Sequence, residues 1–191
     1  MPGLRSVPST LVLLDRLVLL LVAAVLSAVL TAAMVMQFAF GEIPCPLCLL
    51  QRVAMFGCCF GLFRQLRGGD SERGGGIALL FALLLLVVAA RQSLLDLVPR
   101  PGHAYIGTAV FGLHMPVWSV LIGVALVLAL SLRLTLFGDQ RILLEAERPA
   151  LARAARLLQL YLVLICAINL VSVVLQCGLG ACHTSGYPLL R

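Results

Sequence analysis

Between two apolar runs the chain carries the sequence GEIPCPLCLLQR at residues 41–52. Its centre is a Cys-x-x-Cys pair, Cys45 and Cys48, and Arg52 follows four residues after the second cysteine. Two thiols at this spacing can close a small disulfide or share a metal ion. Between two membrane spans, such a pair points to redox chemistry at the surface of a bilayer. A second pair, Cys177 and Cys182, lies near the end of the chain.

The composition is that of an integral membrane protein. Of the 191 residues, 62% are hydrophobic and 12% are charged, whereas soluble domains are about half apolar and a quarter charged. A net charge of +6 would suggest nucleic acid as the partner of a soluble chain. Here the basic residues lie beside apolar spans, so membrane topology accounts for the charge and no nucleic-acid partner is expected.

Five apolar segments are predicted to span the membrane, because a spanning helix needs about 20 apolar residues. The predicted fold class is therefore all-α, a helical bundle forming one membrane domain. The first run is too long for a signal peptide and is interpreted as an uncleaved span. The stretch 137–156 is predicted to be an amphipathic surface helix interrupted near Pro149. The spans are expected at about 17–40, 49–63, 77–98, 114–136 and 157–176, followed by an external tail at 177–191.

The arginines predict the orientation of the bundle. Cytoplasmic segments are enriched in Lys and Arg. Placing the N-terminus in the cytoplasm puts ten arginines inside and only Arg100 and Arg191 outside. Both cysteine pairs then face the external, oxidising side, where disulfides persist. The arginines predicted to be cytoplasmic are Arg5, Arg16, Arg64, Arg67, Arg73, Arg133, Arg141, Arg148, Arg153 and Arg156.

Pro46 and the start of the second span determine what is expected of the first cysteine pair. A proline disfavours helical geometry in the residue before it, so Cys45 should be extended and accessible. Cys48 falls near a helix N-terminus, where unpaired amides and the helix dipole stabilise a thiolate. Arg52 lies one turn later on the same face and should reach back toward Cys48 or a cofactor oxygen. The alternative for Arg52 is snorkelling to the lipid head groups.

The remaining candidates are a polar dipeptide in the third span and the C-terminal cysteines. Arg91 and Gln92 lie about two turns before the external end of that span, which fits either a polar contact to a membrane-soluble cofactor or snorkelling. Cys177 and Cys182 can close a disulfide because the intervening glycines permit the turn. That disulfide could be purely structural. A zinc site formed by all four paired cysteines, with His183 as a substitute ligand, is a further alternative.

The run PCPLCLLQR at residues 44–52 resembles the bacterial DsbB family of membrane quinone reductases that make disulfides. The Arg91-Gln92 dipeptide and the run GLHMPVW at residues 112–118 are also similar to that family. The resemblance covers about residues 17–136. It implies a four-helix bundle of the bacterial inner membrane, with ubiquinone or menaquinone bound near Cys48 and Arg52. It also implies electron flow from a periplasmic thioredoxin-fold oxidase of the DsbA type, through two cysteine pairs, to the quinone.

The position of the second cysteine pair departs from the family pattern. The family places it in the external loop between spans three and four, but residues 99–113 contain no cysteine. Here the second pair follows a fifth span, so the substrate-facing disulfide is interpreted as having moved to a periplasmic C-terminus. The alternatives are a vitamin-K-epoxide-reductase-like enzyme, a non-enzymatic membrane scaffold with structural disulfides, and a metal-binding membrane protein.

Overall fold

The structure, a computed structural model, describes residues 9–67, 71–97, 109–137 and 149–178, together with Cys182 and Tyr187. Most of the predicted loop at 99–113, including Arg100, lies outside the described residues, as do Arg5, Arg141, Arg148, His183 and Arg191.

Five α-helices make up the described chain, which confirms the all-α membrane bundle predicted from the sequence. All five are long and apolar enough to cross a bilayer. Within the described residues, β-structure is limited to an isolated bridge between Val110 and Leu113. The helices are α1 Ser9–Ala39, α2 Pro46–Leu66, α3 Ser71–Leu97, α4 Met115–Phe137 and α5 Pro149–Cys177.

The fifth helix begins at Pro149, eight residues before the predicted start of span five. The prediction of a surface helix at 137–156 is therefore wrong for residues 149–156, because they form the first turns of α5, while residues 138–148 lie outside the described residues. Pro149 starts the helix instead of interrupting it, since a proline at the first helical position removes no hydrogen bond. The 29 residues of α5 extend over about 43 Å at 1.5 Å per residue, which exceeds the hydrocarbon thickness of about 30 Å.

Successive helices run in alternating directions, so the cysteine-bearing segments meet at one end of the bundle. This end, here called the redox end, contains the C-termini of α1, α3 and α5 and the N-termini of α2 and α4. The second helix is the most enclosed and packs against α1, α3 and α5. Its enclosure explains how a span can carry Gln51, Arg52 and Gln65, because protein rather than lipid surrounds them.

The close approach of α2 and α3 depends on small residues. A Cβ atom at Gly61 would lie 2.5 Å from the backbone nitrogen of Ala78 and 2.7 Å from the Gly74 carbonyl oxygen. Only glycine permits this separation, as is usual where membrane helices pack closely. The contact fixes α3 against α2 and thereby positions Gln92 opposite the cysteine pair.

The opposite end of the bundle is basic and contains a partly buried ion pair. Arg133 of α4 donates two hydrogen bonds to the carboxylate of Asp15 on α1, at 2.7 and 3.0 Å. The sequence analysis did not identify this pair, which links the first and fourth helices. The described arginines predicted to be cytoplasmic all lie toward this end, namely Arg16, Arg64, Arg67, Arg73, Arg133, Arg153 and Arg156.

Candidate redox site

Cys45 is the N-cap of α2. Its backbone is extended, with φ −72° and ψ 163°, as predicted from Pro46, which occupies the first turn of the helix. The Cys45 sulfur accepts a hydrogen bond from the backbone N–H of Cys48 at 3.2 Å. A sulfur thus fills the position that a Ser or Asp oxygen usually occupies at a helix start. Capping fixes the side chain of Cys45 above the first turn of α2.

The two sulfur atoms of this pair lie 2.7 Å apart, and both cysteines are free. A disulfide has an S–S distance of about 2.05 Å, so closing the bond requires only a small movement. The prediction that Cys45 is accessible is wrong, because Cys45 is 6% exposed while Cys48 is half-buried. The pKa of Cys45 is raised well above its ordinary value, since its hydrogen bond with the Cys48 sulfur favours the protonated thiol and burial adds to the effect.

Gln92 is the residue of α3 that contacts the cysteine pair. Its amide Nε2 donates toward the Cys48 sulfur at 3.4 Å and the Cys45 sulfur at 3.6 Å. Its Oε1 accepts a hydrogen bond of 2.8 Å from Gln51 Nε2, which holds the amide in this orientation. The sequence analysis selected Gln92 but not Gln51. Gln51 could have been recognised as a candidate, because it is a polar residue inside a predicted span and directly precedes Arg52. A donor amide beside Cys48 favours negative charge on that sulfur.

Arg52 is buried at 8% exposure and is held by neighbouring helices. Its guanidinium donates to Gln37 Oε1, to the Asn169 side-chain oxygen at 3.2 Å and to the Ala33 carbonyl oxygen at 3.1 Å. Snorkelling, the alternative for Arg52, does not fit these contacts. Its hydrogen-bond partners are neutral acceptors on α1 and α5, where the sequence analysis expected the Cys48 thiolate or a cofactor.

A cavity of about 390 Å³ opens beside Cys48. Its walls are largely apolar and come from the first four helices and the α1–α2 and α3–α4 loops. Arg52 and Gln92 line it with the cysteine, whereas Arg91 is exposed and is not among the lining residues. The remaining lining residues include Leu30, Met36, Gln51, Met55, Phe111, Pro116, Trp118 and Ile122.

The C-terminal pair, Cys177 and Cys182, forms a disulfide, as the sequence analysis allowed. The turn begins at Gly178, whose φ of +58° favours glycine and whose N–H bonds the Val174 carbonyl oxygen. The zinc alternative requires four thiolates, and this disulfide uses two of the sulfurs it would need.

The C-terminal segment contacts the redox end on both sides of its disulfide. Gln176 is fully buried and donates from Nε2 to the carbonyl oxygen of Pro44 at 2.8 Å. Tyr187 accepts a hydrogen bond of 2.8 Å from Gln37, the same residue that accepts from Arg52. The residue before Cys177 therefore touches the residue before Cys45. Sequence reasoning missed Gln37, Gln176 and Tyr187, because no pattern along the chain reveals which helices become neighbours.

A family model matches part of the chain. Residues 15–104 match the family described as "Disulfide bond formation protein DsbB". The matched range contains α2, α3 and all of α1 except residues 9–14, and it includes Cys45, Cys48, Arg52 and Gln92. It ends before the run at 112–118 and before the C-terminal cysteine pair.

Curated relatives carry the same description. "Disulfide bond formation protein B" of Paracidovorax citrulli (strain AAC00-1) is 39% identical over 101 residues, which cover 51% of this chain and 57% of that protein. The protein of that name from Burkholderia pseudomallei (strain 1106a) is 37% identical over 76 residues, covering 40% and 43% respectively. The chain thus spans about half the length of the curated relatives it matches. No solved structure matches the chain.

Proposed function

We propose that this chain, whose residues 15–104 match the DsbB family, is a membrane thiol oxidase that generates disulfides. In this proposal it oxidises the dithiol of a periplasmic thioredoxin-fold protein of the DsbA type and uses ubiquinone or menaquinone as the electron acceptor. The observation that carries the proposal is the arrangement at the redox end. Two cysteine sulfurs 2.7 Å apart adjoin an apolar cavity that Cys48 itself lines.

The residues around the cavity fit a quinone. Ligand pockets are mostly apolar and contain a few placed polar groups, and this cavity offers a guanidinium and two amides among apolar walls. Arg52, Gln51 and Gln92 would hold the oxygen atoms of the head group, and the aliphatic side chains would surround its apolar parts. A bound quinone would supply an acceptor for two electrons and two protons.

The chain's own residues prepare Cys48 for this chemistry. In this proposal Cys45 retains its proton and donates it to the Cys48 sulfur 2.7 Å away, and Gln92 donates to the same sulfur. Both donors favour charge on Cys48, so Cys48 is proposed as the sulfur that faces the acceptor. Oxidation of the Cys45–Cys48 dithiol to its disulfide releases two electrons and two protons. Arg52 would stabilise negative charge as it develops in the cavity.

The C-terminal disulfide is proposed to receive electrons from the protein substrate. One substrate thiolate attacks the Cys177–Cys182 bond and forms a mixed disulfide, and the second substrate thiol then releases the pair as two thiols. Those thiols reduce the Cys45–Cys48 disulfide in the same manner and become a disulfide again. The contacts of Gln176 with Pro44 and of Tyr187 with Gln37 support this exchange, since they tether the segment beside the first pair.

The sequence left two roles open for Arg91, contact to a cofactor or snorkelling, and the second is proposed here. Its side chain is exposed at the level of the cavity, so we propose that it snorkels toward the external head groups and does not hold the quinone. Gln92 remains in the proposed cofactor site.

A bacterial inner-membrane location with a cytoplasmic N-terminus is proposed from the arginine distribution. The basic end of the bundle is opposite the redox end, and basic residues favour the cytoplasmic face. Both cysteine pairs then open toward the oxidising periplasm.

The proposal is tested by incubating the purified chain with a reduced thioredoxin-fold protein and excess quinone. Quinone reduction is followed by absorbance, and the protein thiols are titrated. We expect one quinone consumed for each disulfide formed, and loss of turnover in the Cys48→Ser variant. Wild-type chain that forms no disulfides with quinone present would refute the proposed function.

A further inference from the structure

The fifth helix carries a buried polar stripe. Asn169, Ser172 and Gln176 are 5%, 2% and 0% exposed. Their spacing of three and four residues puts them on one face of the helix, while the intervening Leu170, Val171 and Val174 are at least half exposed. Polar residues within a span usually mark a contact to other buried polar groups.

Two members of the stripe contact the redox site at separate points. The Asn169 side-chain oxygen accepts from Arg52 at 3.2 Å, and Arg52 lines the cavity. The amide of Gln176 donates to the Pro44 carbonyl oxygen at 2.8 Å, directly before Cys45. Ser172 differs from both, because its hydroxyl donates within the helix to the backbone oxygen of Asn169 at 2.9 Å.

We propose that α5 is part of the redox site, with Asn169 and Gln176 as positioning residues. Asn169 fixes the guanidinium of Arg52 toward the cavity. Gln176 fixes the loop that holds the Cys45 sulfur over the first turn of α2. The helix thereby serves the Cys45–Cys48 pair directly, and this role is independent of any electron transfer through Cys177 and Cys182. The part that concerns Arg52 and quinone rests on the proposed function; the part that concerns Cys45 does not.

The first test measures quinone binding without turnover. Trp118 is the only tryptophan of the chain and lines the cavity, so quenching of its fluorescence reports binding of a short-chain quinone. The protein is fully oxidised and no dithiol is added, so that no electrons reach the quinone. Asn169→Leu should raise the quinone Kd about fivefold, the factor expected for one lost hydrogen bond. Asn169→Asp retains an acceptor oxygen and should restore binding. Ser172→Ala, on the same stripe, should bind like wild type.

The second test measures the stability of the Cys45–Cys48 disulfide. The fraction oxidised is determined in dithiothreitol redox buffers, in a background that carries Cys177→Ser and Cys182→Ser. Gln176→Met keeps the length of the side chain but removes the donor. Freeing the loop should lower the effective concentration of Cys45 at Cys48 and shift the equilibrium about fivefold toward the dithiol. Ser172→Ala should leave the equilibrium unchanged.

The two tests separate this inference from the proposed function. Equal redox midpoints of the Cys45–Cys48 pair in Gln176→Met and Ser172→Ala would overturn the role of Gln176, whatever molecule accepts the electrons. Equal quinone affinities for Asn169→Leu and Ser172→Ala would overturn the role of Asn169. Wild-type protein whose Trp118 fluorescence does not respond to quinone would instead count against the proposed acceptor and the Asn169 role, while the midpoint would still decide the role of Gln176.

Discussion

At the scale of single residues, the Cys45 sulfur has two structural roles. It caps α2 by accepting the Cys48 N–H, and it lies 2.7 Å from the sulfur it would bond. The sequence predicted the extended backbone of Cys45 from the proline that follows. It did not predict burial, because the groups that cover Cys45 come from other helices, Gln92 among them.

For Arg52, too, the neighbouring sequence predicts the position of the residue but not its contacts with other helices. Its place one turn after Cys48 follows from the sequence, and the structure puts it in the cavity wall. Its hydrogen-bond partners Gln37 and Asn169 lie 15 and 117 residues away along the chain. The pattern around Cys48 therefore identified the residue but not what holds it.

Removing the guanidinium of Arg52 should affect both quinone use and stability. Arg52→Ala leaves buried acceptors on α1 and α5 without their donor, and each such loss costs about 1–3 kcal/mol. We expect a lower melting temperature in detergent, together with a higher quinone KM or a lower kcat. Arg52→Lys retains charge but not the fork of donors, so it should restore the kinetics only in part. Unchanged quinone kinetics in a folded Arg52→Ala protein would remove Arg52 from the site.

Gln92 should control the reactivity of Cys48. Gln92→Leu removes the amide that donates to both sulfurs, so charge on Cys48 loses a stabilising hydrogen bond. The rate of Cys48 alkylation in a Cys45→Ser background should fall about tenfold, which corresponds to about 1.4 kcal/mol. Arg91→Leu is the matched control on the neighbouring position and should alkylate at the wild-type rate. Equal rates for the two variants would contradict the assignment of Gln92.

At the scale of the helices, hydropathy predicted five spans, and the described part of the chain contains five helices of spanning length. The start of α5 was misjudged because Arg153 and Arg156 resemble a surface segment, although they occupy the first turns of a helix longer than the hydrocarbon layer. The contacts of α5 with the redox end could not be predicted. A hydropathy profile gives the position of a helix along the chain but not its rotation or its neighbours.

The packing of α2 on α3 should be sensitive to a single methyl group. Gly61→Ala forces a Cβ to within 2.5 Å of backbone atoms of α3, whereas a Cβ at Gly76 meets nothing within 4 Å. Gly61→Ala should therefore destabilise the protein by about 1–3 kcal/mol. Gly76→Ala makes the same chemical change and should be neutral or slightly stabilising. Thermal unfolding in detergent compares the two, and equal melting temperatures would contradict the close contact.

At the scale of the whole molecule, the alternating helices put both cysteine pairs at one end and the seven described arginines predicted to be cytoplasmic at the other. A membrane-impermeant thiol reagent, applied to intact cells after mild reduction, should label Cys48 and one or both of Cys177 and Cys182. Cys58 and Cys59 are fully buried and should remain unlabelled, which provides an internal control. Labelling that requires permeabilised cells would reverse the proposed orientation.

Electron exchange between the pairs requires that they meet. With Cys48→Ser and Cys177→Ser combined, Cys45 and Cys182 remain as the partners for one mixed disulfide. We expect this disulfide to form and to appear as a cross-link between two proteolytic fragments, because Gln176 and Tyr187 hold the segment at the redox end. The variants that leave the other combinations of one cysteine from each pair show which mixed disulfide forms most readily. Absence of a cross-link in every combination would contradict contact between the pairs.

The central claim, a relay through two cysteine pairs to quinone, is tested most directly with the Cys177→Ser, Cys182→Ser double variant. Its quinone reduction is measured side by side with a small dithiol and with a reduced thioredoxin-fold protein as donor. The relay predicts near wild-type turnover with the small dithiol, because Cys45–Cys48 and the cavity are intact, and loss of turnover with the protein donor. Oxidation of the protein donor at the wild-type rate would contradict the relay and would leave Cys45–Cys48 as the pair that acts alone.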